Sequence, residues 1–261
     1  MNYKIISMDF DGTLLTSDKK VTKNTKDILL KYKNLGYIIV GITARNFMSV
    51  KHVCDINMFN YIILNNGANI YDVKNENFIS FSNINHSTIE EILKYFNNIA
   101  DAFNFCTLNK YYLYKGIAQS EFVTKINDYK EINEDIVRIN IFLDENKYDI
   151  DSYVNYIKEN YKELDAFVMK DTDGDKNSSW IAINVKDINK YTGLCSLCSK
   201  LNINTDEVIF FGDSSNDLKI INKVGMGVAM GNALKEVKTM AKNVTLTNDE
   251  EGIVYFLENN I

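Results

Sequence analysis

The sequence predicts an α/β protein in which a parallel-sheet core is interrupted by an inserted α+β domain. Apolar, strand-like runs alternate with helical patterns over the first 70 residues, and this alternation stops between about residues 82 and 186 before it resumes. Continuously apolar strands that alternate with helices are typical of a parallel sheet covered on both faces. We therefore expect a core formed by residues 1–81 and 187–261 and a second domain formed by residues 82–186.

The first segment of the core alternates predicted strands and helices. Short apolar runs predict strands at residues 3–8, 37–42 and 61–64, and helices are predicted between them at residues 25–35 and 46–54. In the first helix, Ile28, Leu29 and Tyr32 recur at helical spacing, and Gly36 follows as a C-terminal cap.

The inserted segment has a different pattern from the core. It contains helix patterns at residues 88–100 and 150–161 and strands of more alternating polarity at residues 137–143 and 180–185, which favours an antiparallel sheet. The strand–helix alternation then returns, with helices at residues 191–201, 216–224 and 232–241, strands at residues 208–211, 227–230 and 244–246, and a terminal helix. The complete pattern indicates a Rossmann-like core with an inserted α+β domain.

The composition argues against several classes of function. The 261 residues include 29 basic and 35 acidic side chains, and the resulting net charge of −6 argues against binding to a nucleic-acid backbone. The longest apolar runs are far shorter than the roughly 20 residues of a membrane-spanning helix, and the first ten residues lack a signal-peptide pattern. Four cysteines without an export signal favour free thiols. We therefore expect a cytoplasmic monomer or weak homodimer that binds neither nucleic acid nor membrane.

Four aspartates follow two of the predicted core strands. Asp9 and Asp11 come after the first strand, and Asp213 and Asp217 come after the strand at residues 208–211. Open parallel sheets bind ligands at the carboxyl ends of their strands, where the strand order reverses. If the chain returns on the other side of the first strand, the four side chains meet there. Like charges about 4 Å apart repel by about 4 kcal/mol at an effective dielectric near 20. A hard cation that prefers oxygen ligands relieves this repulsion, so the sequence predicts a Mg²⁺ site that takes a phosphate group.

Four short motifs resemble those of the haloacid dehalogenase-like hydrolase superfamily. They are Asp9-Phe10-Asp11-Gly12-Thr13-Leu14-Leu15, Thr43-Ala44-Arg45, Lys190, and Gly212-Asp213-Ser214-Ser215-Asn216-Asp217. The insert between the second and third motifs resembles the α+β cap of the Cof-type subfamily, which is subfamily IIB. The resemblance covers nearly the whole chain and implies a phosphatase whose catalytic edge faces the cap. It also implies that Asn66 and Gly67 border the substrate cleft.

The resemblance implies a role for each motif residue. Asp9 would attack phosphorus and form an aspartyl-phosphate, and Asp11 would protonate the leaving group and then activate water. The phosphate-binding residues would be Thr43, Ala44, Arg45, Lys190 and Asn216. The ligands of Mg²⁺ would be Asp9, Asp11 through its backbone carbonyl, Asp213 and Asp217.

Two positions depart from the family pattern. Ala44 stands where glycine is usual, which is expected to hold that loop slightly farther from the phosphate. Tyr191 stands where glycine commonly follows the motif lysine, which leaves Lys186 as an alternative to Lys190. The apolar helix face that follows favours Lys190.

The predicted function is Mg²⁺-dependent hydrolysis of a small phosphate ester, such as a sugar phosphate or a phosphorylated cofactor. Two alternatives stay open, namely a phosphomutase that uses the same nucleophile and a non-catalytic metabolite-binding protein that keeps the fold. A specialised sucrose- or trehalose-type phosphatase falls within the predicted reaction class.

Two further patterns are not interpreted as metal sites. Cys195 and Cys198 form a single pair with no second pair, which is more typical of ordinary thiols. The run 171–175 resembles a calcium loop, but Lys176 and Ala182 stand where glycine and glutamate are required. We expect a polar turn there.

Overall fold

The structure is a computed structural model that describes residues 3–117, 123–170 and 178–261. The chain divides into two compact units. Unit 1 consists of Met1–Arg45, Ser49–Ser80 and Asn189–Ile261, and unit 2 consists of Asn46–Met48 and Phe81–Ile188. The calcium-loop-like run at residues 171–175 lies outside the described residues.

The described elements are numbered here in chain order. The strands are β1 (Ile5–Met8), β2 (Ile38–Ile42), β3 (Tyr61–Leu64), β4 (Asn69–Asp72), β5 (Asn77–Phe81), β6 (Ala102–Thr107), β7 (Tyr111–Tyr114), β8 (Val123–Ile126), β9 (Ile136–Asp144), β10 (Leu164–Lys170), β11 (Ser178–Val185), β12 (Val208–Gly212), β13 (Met226–Ala229) and β14 (Asn243–Val244). The helices are α1 (Lys23–Asn34), α2 (Phe47–Val53), α3 (His86–Phe96), α4 (Ile150–Asn160), α5 (Lys190–Leu201), α6 (Leu218–Lys223), α7 (Lys235–Met240) and α8 (Gly252–Asn260).

Unit 1 is built on an eight-stranded sheet in the order β14-β13-β12-β1-β2-β3-β4-β5. The strands from β14 to β3 are parallel, and β4 runs antiparallel to β3. Ile5 of β1 pairs with Ile38 on one side and with Val208 on the other. The chain therefore returns on the other side of β1, which meets the condition for the four aspartates to converge, and the strand order reverses at that strand.

The helices of unit 1 form where apolar spacing and end-capping agree. Thr22 caps the N-terminus of α1 by accepting a hydrogen bond from the backbone N–H of Thr25. Gly36 follows the helix with a φ of +95°, a conformation that glycine adopts without strain. The hydroxyl of Tyr32 donates to the carbonyl of Leu257 at 2.7 Å, which ties α1 to α8.

Unit 2 is an α+β module whose six-stranded sheet has the order β10-β11-β9-β6-β7-β8. Its pairs are antiparallel except for β7 and β8, which are parallel. Alternate residues of the central strands, among them Phe103, Ile139 and Ile181, form one apolar core with Ile92 of α3 and Ile157 of α4. The fold class is confirmed in both parts: a Rossmann-like core and an inserted α+β module.

The structure corrects several predicted elements. The sequence does not predict β4 and β5, which extend the core sheet beyond its parallel strands. The helix predicted at residues 216–224 begins as a separate 3₁₀ turn over Ser215–Asp217. The helix predicted to start at residue 232 starts at Lys235, because the side chain of Asn232 bonds to two other loops instead. Among the described residues, no helix combines the length and the apolar character needed to cross a bilayer.

Candidate active site

Three of the four predicted carboxylates gather where β1 and β12 end. Asp9 directly follows β1, and its backbone N–H donates to the carbonyl of Phe211 in β12 at 3.0 Å. Asp9, Asp213 and Asp217 each offer a carboxylate oxygen, and these three oxygens lie within 4.8 Å of one another. Asp9 and Asp217 are buried, whereas Asp213 is half-buried. We call these three residues the carboxylate cluster.

Lys190 places one positive charge inside the carboxylate cluster. Its ammonium donates to Asp9 Oδ1 at 2.6 Å and to Asp217 Oδ1 at 2.8 Å, and the side chain is only 2% exposed. Burial by itself lowers the pKa of Lys190, but the adjacent Asp9 and Asp217 carboxylates outweigh it and raise the pKa overall. Lys186, the alternative residue, is exposed in unit 2.

Asp217 also fixes the shape of the loop that follows β12. Its second oxygen, Oδ2, accepts hydrogen bonds from the backbone N–H groups of Asp213 and Ser214 at 3.0 and 3.1 Å, and from the Ser214 hydroxyl at 3.2 Å. Asn216 points away from these contacts: it is exposed, and its Oδ1 accepts from the Ser214 hydroxyl at 2.7 Å. The structure therefore places Asp217, but not the side chain of Asn216, against Lys190.

The side chain of Asp11 lies in an ion pair outside the carboxylate cluster. Arg45 donates two hydrogen bonds to it, from Nε to Oδ2 at 2.8 Å and from Nη2 to Oδ1 at 2.7 Å. Lys19 donates a third, from Nζ to Oδ1 at 2.9 Å. Burial alone raises the pKa of Asp11, but these cations outweigh it and lower the pKa to about 2. Arg45, expected at a phosphate, therefore binds Asp11 in this structure. The ion pair and the low pKa both favour the ionised form of Asp11 in this arrangement.

Thr43 is held at the end of β2 by contacts to its own loop and to the next one. Its hydroxyl oxygen accepts from the backbone N–H of Arg45 at 3.1 Å, and its carbonyl accepts from the N–H of Asn66 at 2.9 Å. Thr43 is buried, and Ala44 beside it is exposed. Since β1, β2 and β12 are parallel neighbours, Thr43 stands at the same sheet edge as Asp9 and Asp213.

Three consecutive residues after β3 have left-handed backbone conformations. The φ values are 50° for Asn65, 57° for Asn66 and 104° for Gly67. A Cβ on Gly67 would lie 2.2 Å from the carbonyl oxygen of Asn189, the residue before Lys190. Glycine is therefore required here on two grounds, its φ and the close approach of the chain that carries Lys190.

We expect Gly67→Ala to reduce the free energy of unfolding by more than Gly36→Ala does. Both glycines have a positive φ, which costs alanine about 1–2 kcal/mol, but a Cβ on Gly36 meets nothing within 4 Å. The steric overlap at Gly67 adds about 1–3 kcal/mol. Urea denaturation of both variants measures the difference, and equal losses would contradict the assigned close approach.

The carboxylate cluster has more negative charge than its one lysine balances. Burial raises the pKa of Asp9, the charge of Asp217 raises it further, and Lys190 only partly opposes them. Burial also raises the pKa of Asp213, and in the described part of the chain no lysine or arginine nitrogen pairs with it. When all three carboxylates are ionised, one ammonium leaves two negative charges, and the raised pKa values of Asp9 and Asp213 reflect this excess. An all-oxygen donor set with this charge fits a hard divalent cation such as Mg²⁺.

Two residues that hold the carboxylate cluster in place are given no role by the sequence. Thr13 donates its hydroxyl to Asp213 Oδ1 at 2.9 Å, and Asn232 donates its amide to the carbonyl of Gly12 at 2.8 Å. A Cβ on Gly12 would lie 2.4 Å from Asp213 Oδ2. Thr13 and Gly12 belong to the first motif, but the partners of Gly12, Thr13 and Asn232 depend on the folded loops.

Comparison with known proteins gives a family match and whole-length relatives. A family model described as haloacid dehalogenase-like hydrolase matches residues 6–257. The 5-amino-6-(5-phospho-D-ribitylamino)uracil phosphatase YcsE of Bacillus subtilis is 28% identical, covering 97% of this chain and 94% of the relative. The phosphatase YitU of the same organism, named for the same substrate, is 26% identical, covering 97% of this chain and 96% of the relative.

Solved structures share the complete fold. A haloacid dehalogenase-like hydrolase from Bacteroides thetaiotaomicron superimposes with a TM-score of 0.82 at 22% identity over 100% of both chains. TM0651 from Thermotoga maritima gives a TM-score of 0.82 at 22% identity, covering 99% of this chain and 98% of that chain. A sugar phosphatase described as HAD subclass IIB gives 0.74 at 19% identity over 98% of both chains.

Proposed function

This chain belongs to the haloacid dehalogenase-like hydrolase family, and on that premise we propose that it is a Mg²⁺-dependent phosphatase acting through an aspartyl-phosphate. Its substrate is a small phosphorylated metabolite. One observation carries the proposal: Asp9, Asp213 and Asp217 present oxygens within 4.8 Å of one another, with Lys190 bridging Asp9 and Asp217. This arrangement supports a site in which a nucleophile, a cation and a phosphate-binding ammonium act together.

Asp9 is the nucleophile in this proposal. Lys190 holds Oδ1 of Asp9 at 2.6 Å and so fixes the orientation of the carboxylate. A carboxylate oxygen attacks phosphorus in line and the ester P–O bond breaks. Asp11, which takes up a proton from solvent after it leaves Arg45, donates that proton to the released alkoxide. Asp11 then removes a proton from water, which attacks the aspartyl-phosphate and releases inorganic phosphate. Both proton transfers require Asp11 to leave Arg45.

Thr43 and Lys190 bind the oxygens of the phosphoryl group. The hydroxyl oxygen of Thr43 already accepts from the N–H of Arg45, so its own hydrogen can be donated to a phosphoryl oxygen. The buried ammonium of Lys190 stabilises the negative charge that develops during transfer. Ala44 contributes only backbone to such a site.

The residues suited to Mg²⁺ are Asp9, Asp213, Asp217 and the backbone carbonyl of Asp11. When bound, the ion neutralises the carboxylate cluster and screens Asp9 from an incoming phosphate dianion. Asp213 is half-buried, and its Oδ1 accepts a hydrogen bond from Thr13. No lysine or arginine of the described residues pairs with it, which supports a role as a metal ligand.

Removal of divalent cations should reduce the turnover of p-nitrophenyl phosphate by about 10²-fold or more, because the site then repels the substrate. Purified protein is treated with EDTA, dialysed, and assayed for p-nitrophenol release with and without added Mg²⁺. Mg²⁺ should restore the rate and raise the melting temperature, since it binds only the folded cluster. Metal-stripped protein that keeps its full turnover would contradict the metal requirement.

A phosphate-release screen identifies the substrate class. The panel contains sugar phosphates, flavin mononucleotide, pyridoxal phosphate and 5-amino-6-(5-phospho-D-ribitylamino)uracil, the compound named for the two Bacillus relatives. Hydrolysis of at least one ester with a strong preference over the others is the expected result. An isomerised product without free phosphate would indicate a phosphomutase instead.

A further inference from the structure

The sheet of unit 2 has a polar face on the side opposite its apolar core. On the central strands β6, β9 and β11, successive side chains point to opposite faces. The core residues of these strands alternate with residues of the opposite face, several of which are polar. The polar sheet face comprises Asn104, Cys106, Arg138, Asn140 and Asn184. The strand register puts Arg138 between Cys106 and Asn184, and Asn140 opposite Asn104.

Arg138 is a buried charge on this face without a partner for two of its nitrogens. The residue is 5% exposed, and neither Nε nor Nη2 has a hydrogen-bond partner among the described residues. Within those same residues, no carboxylate lies within ion-pair distance of its guanidinium. A guanidinium stays charged at any physiological pH, and leaving it buried and unpaired is costly.

The neighbours of Arg138 do not supply the missing negative charge. Asn104, Asn140 and Asn184 are neutral. Cys106 is buried, and burial raises its pKa to about 11, so the thiol remains protonated at neutral pH although Arg138 opposes this. Asn140 also has a buried Oδ1 without a partner. The polar sheet face therefore contains two buried guanidinium donors and one buried amide acceptor that have no partner among the described residues.

The Nε and Nη2 nitrogens of Arg45, the other arginine of the chain, show which kind of group this side of a guanidinium binds. Arg45 uses these two nitrogens to hold both oxygens of the Asp11 carboxylate at 2.8 and 2.7 Å. This side-on pair matches the oxygen spacing of a carboxylate or a phosphate. Arg45 and Arg138 are the only arginines of the chain.

We propose that Arg138 anchors an anion-binding site on the polar sheet face, and that its ligand is a small hydroxylated molecule carrying a carboxylate or a phosphate. The acid group binds Nε and Nη2 of Arg138, and a hydroxyl of the ligand donates to Oδ1 of Asn140. This inference stands apart from the proposed phosphatase function, because it concerns binding and does not require turnover.

The test measures binding of D-gluconate, inorganic phosphate and uncharged D-glucose to the full chain by calorimetry, and by the fluorescence of Trp180. Trp180 is the only tryptophan of the chain and packs beside Phe142. Phe142 lies on the same face of β9 as Arg138 and Asn140, so the fluorescence of Trp180 reports on that face. We expect Arg138→Met to weaken binding of gluconate or phosphate about tenfold or more, with no such change for glucose. Lys110→Met, which removes an exposed cation of unit 2, is the matched control.

A stability measurement separates a binding role from a structural one. If Arg138 awaits a ligand, Arg138→Met removes an unpaired buried charge and leaves the urea midpoint of the ligand-free protein unchanged or higher. A lower midpoint would overturn the proposal, as would equal affinity of the wild type and the variant for both anions.

Kinetics with matched esters then identifies the source of the acid group. The measured quantity is the ratio of kcat/KM for 6-phosphogluconate to kcat/KM for glucose 6-phosphate. If this ratio falls about tenfold in Arg138→Met, the acid group that binds Arg138 is part of the substrate. If anion binding depends on Arg138 while both kinetic constants stay the same, the acid belongs to a separate ligand. Failure to hydrolyse both esters would show that neither is the substrate, and it leaves the binding result intact.

Discussion

Asp9→Asn should lower the turnover of p-nitrophenyl phosphate by about 10³-fold or more, because an amide cannot attack phosphorus. The substitution keeps the size of the side chain, and the asparagine Oδ1 can still accept the hydrogen bond from Lys190. Release of p-nitrophenol is measured on wild type and variant, with circular dichroism to establish that both are folded. Acid-quenched mass spectrometry should find a phosphoryl group on wild-type Asp9 and none on the variant.

Two further variants serve as a second loss-of-activity variant and as a control for this prediction. Asp11→Asn should come close to the same loss, since it removes the proton donor while the nucleophile remains. Cys195→Ser should leave turnover unchanged, because no contact in the carboxylate cluster involves that thiol among the described residues. Full activity of the Asp9 variant would rule out the covalent mechanism.

Lys190→Met should reduce both stability and turnover. Methionine retains the apolar stem but leaves Asp9 and Asp217 buried and adjacent without their shared cation. Breaking a buried ion pair costs about 3–5 kcal/mol of unfolding free energy, and loss of a donor to the transferring phosphoryl group costs about 10²–10³-fold in rate. Urea denaturation and steady-state kinetics measure the two effects, and added Mg²⁺ should recover part of the stability.

Lys186→Met is the matched control for this prediction. Lys186 is the other lysine that the sequence leaves open for the third motif, and it is exposed. Its replacement should change the unfolding free energy and the rate only slightly, as is usual for exposed substitutions. The reverse pattern, in which Lys186→Met is inactive and Lys190→Met is active, would overturn the placement of the motif at Lys190.

The parallel part of the core and the meeting of its carboxylates could be predicted because their causes are local. The runs that form β1 and β12 are fully buried and apolar apart from Ser7, which is typical of central parallel strands. Asp9 and Asp213 follow directly where these strands end. Once the two strands are neighbours, the backbone alone brings these aspartates together.

The remaining strands of the core sheet could not be predicted for a physical reason. β4 begins with Asn69 and ends with Asp72, so it lacks the apolar run that identifies β1, although all four of its residues are buried. Asn69 is buried because the amide of Asn65, at the turn after β3, donates to it at 2.7 Å. Such a contact exists only after the turn has formed.

The sequence also does not predict which side chains pair between different loops. Arg45, for which the resemblance implies a phosphate-binding role, contacts Asp11, 34 residues away. The partner depends on how two loops orient their side chains, which no spacing encodes. Arg138 likewise has no pattern around it that marks a site. Its importance comes from burial without a partner, which only the folded sheet reveals.

The adjacency of β1 and β12 has an evolutionary consequence. Ile5 pairs with Val208, so strands from opposite ends of the sequence fix the spacing of Asp9 and Asp213, and no strand of the six-stranded sheet takes part in that pairing. Residues 81–188 of unit 2 contribute no strand to this pairing, so changes within them do not alter it directly. After gene duplication, unit 2 can therefore diversify while the strand pair that positions Asp9 and Asp213 is retained.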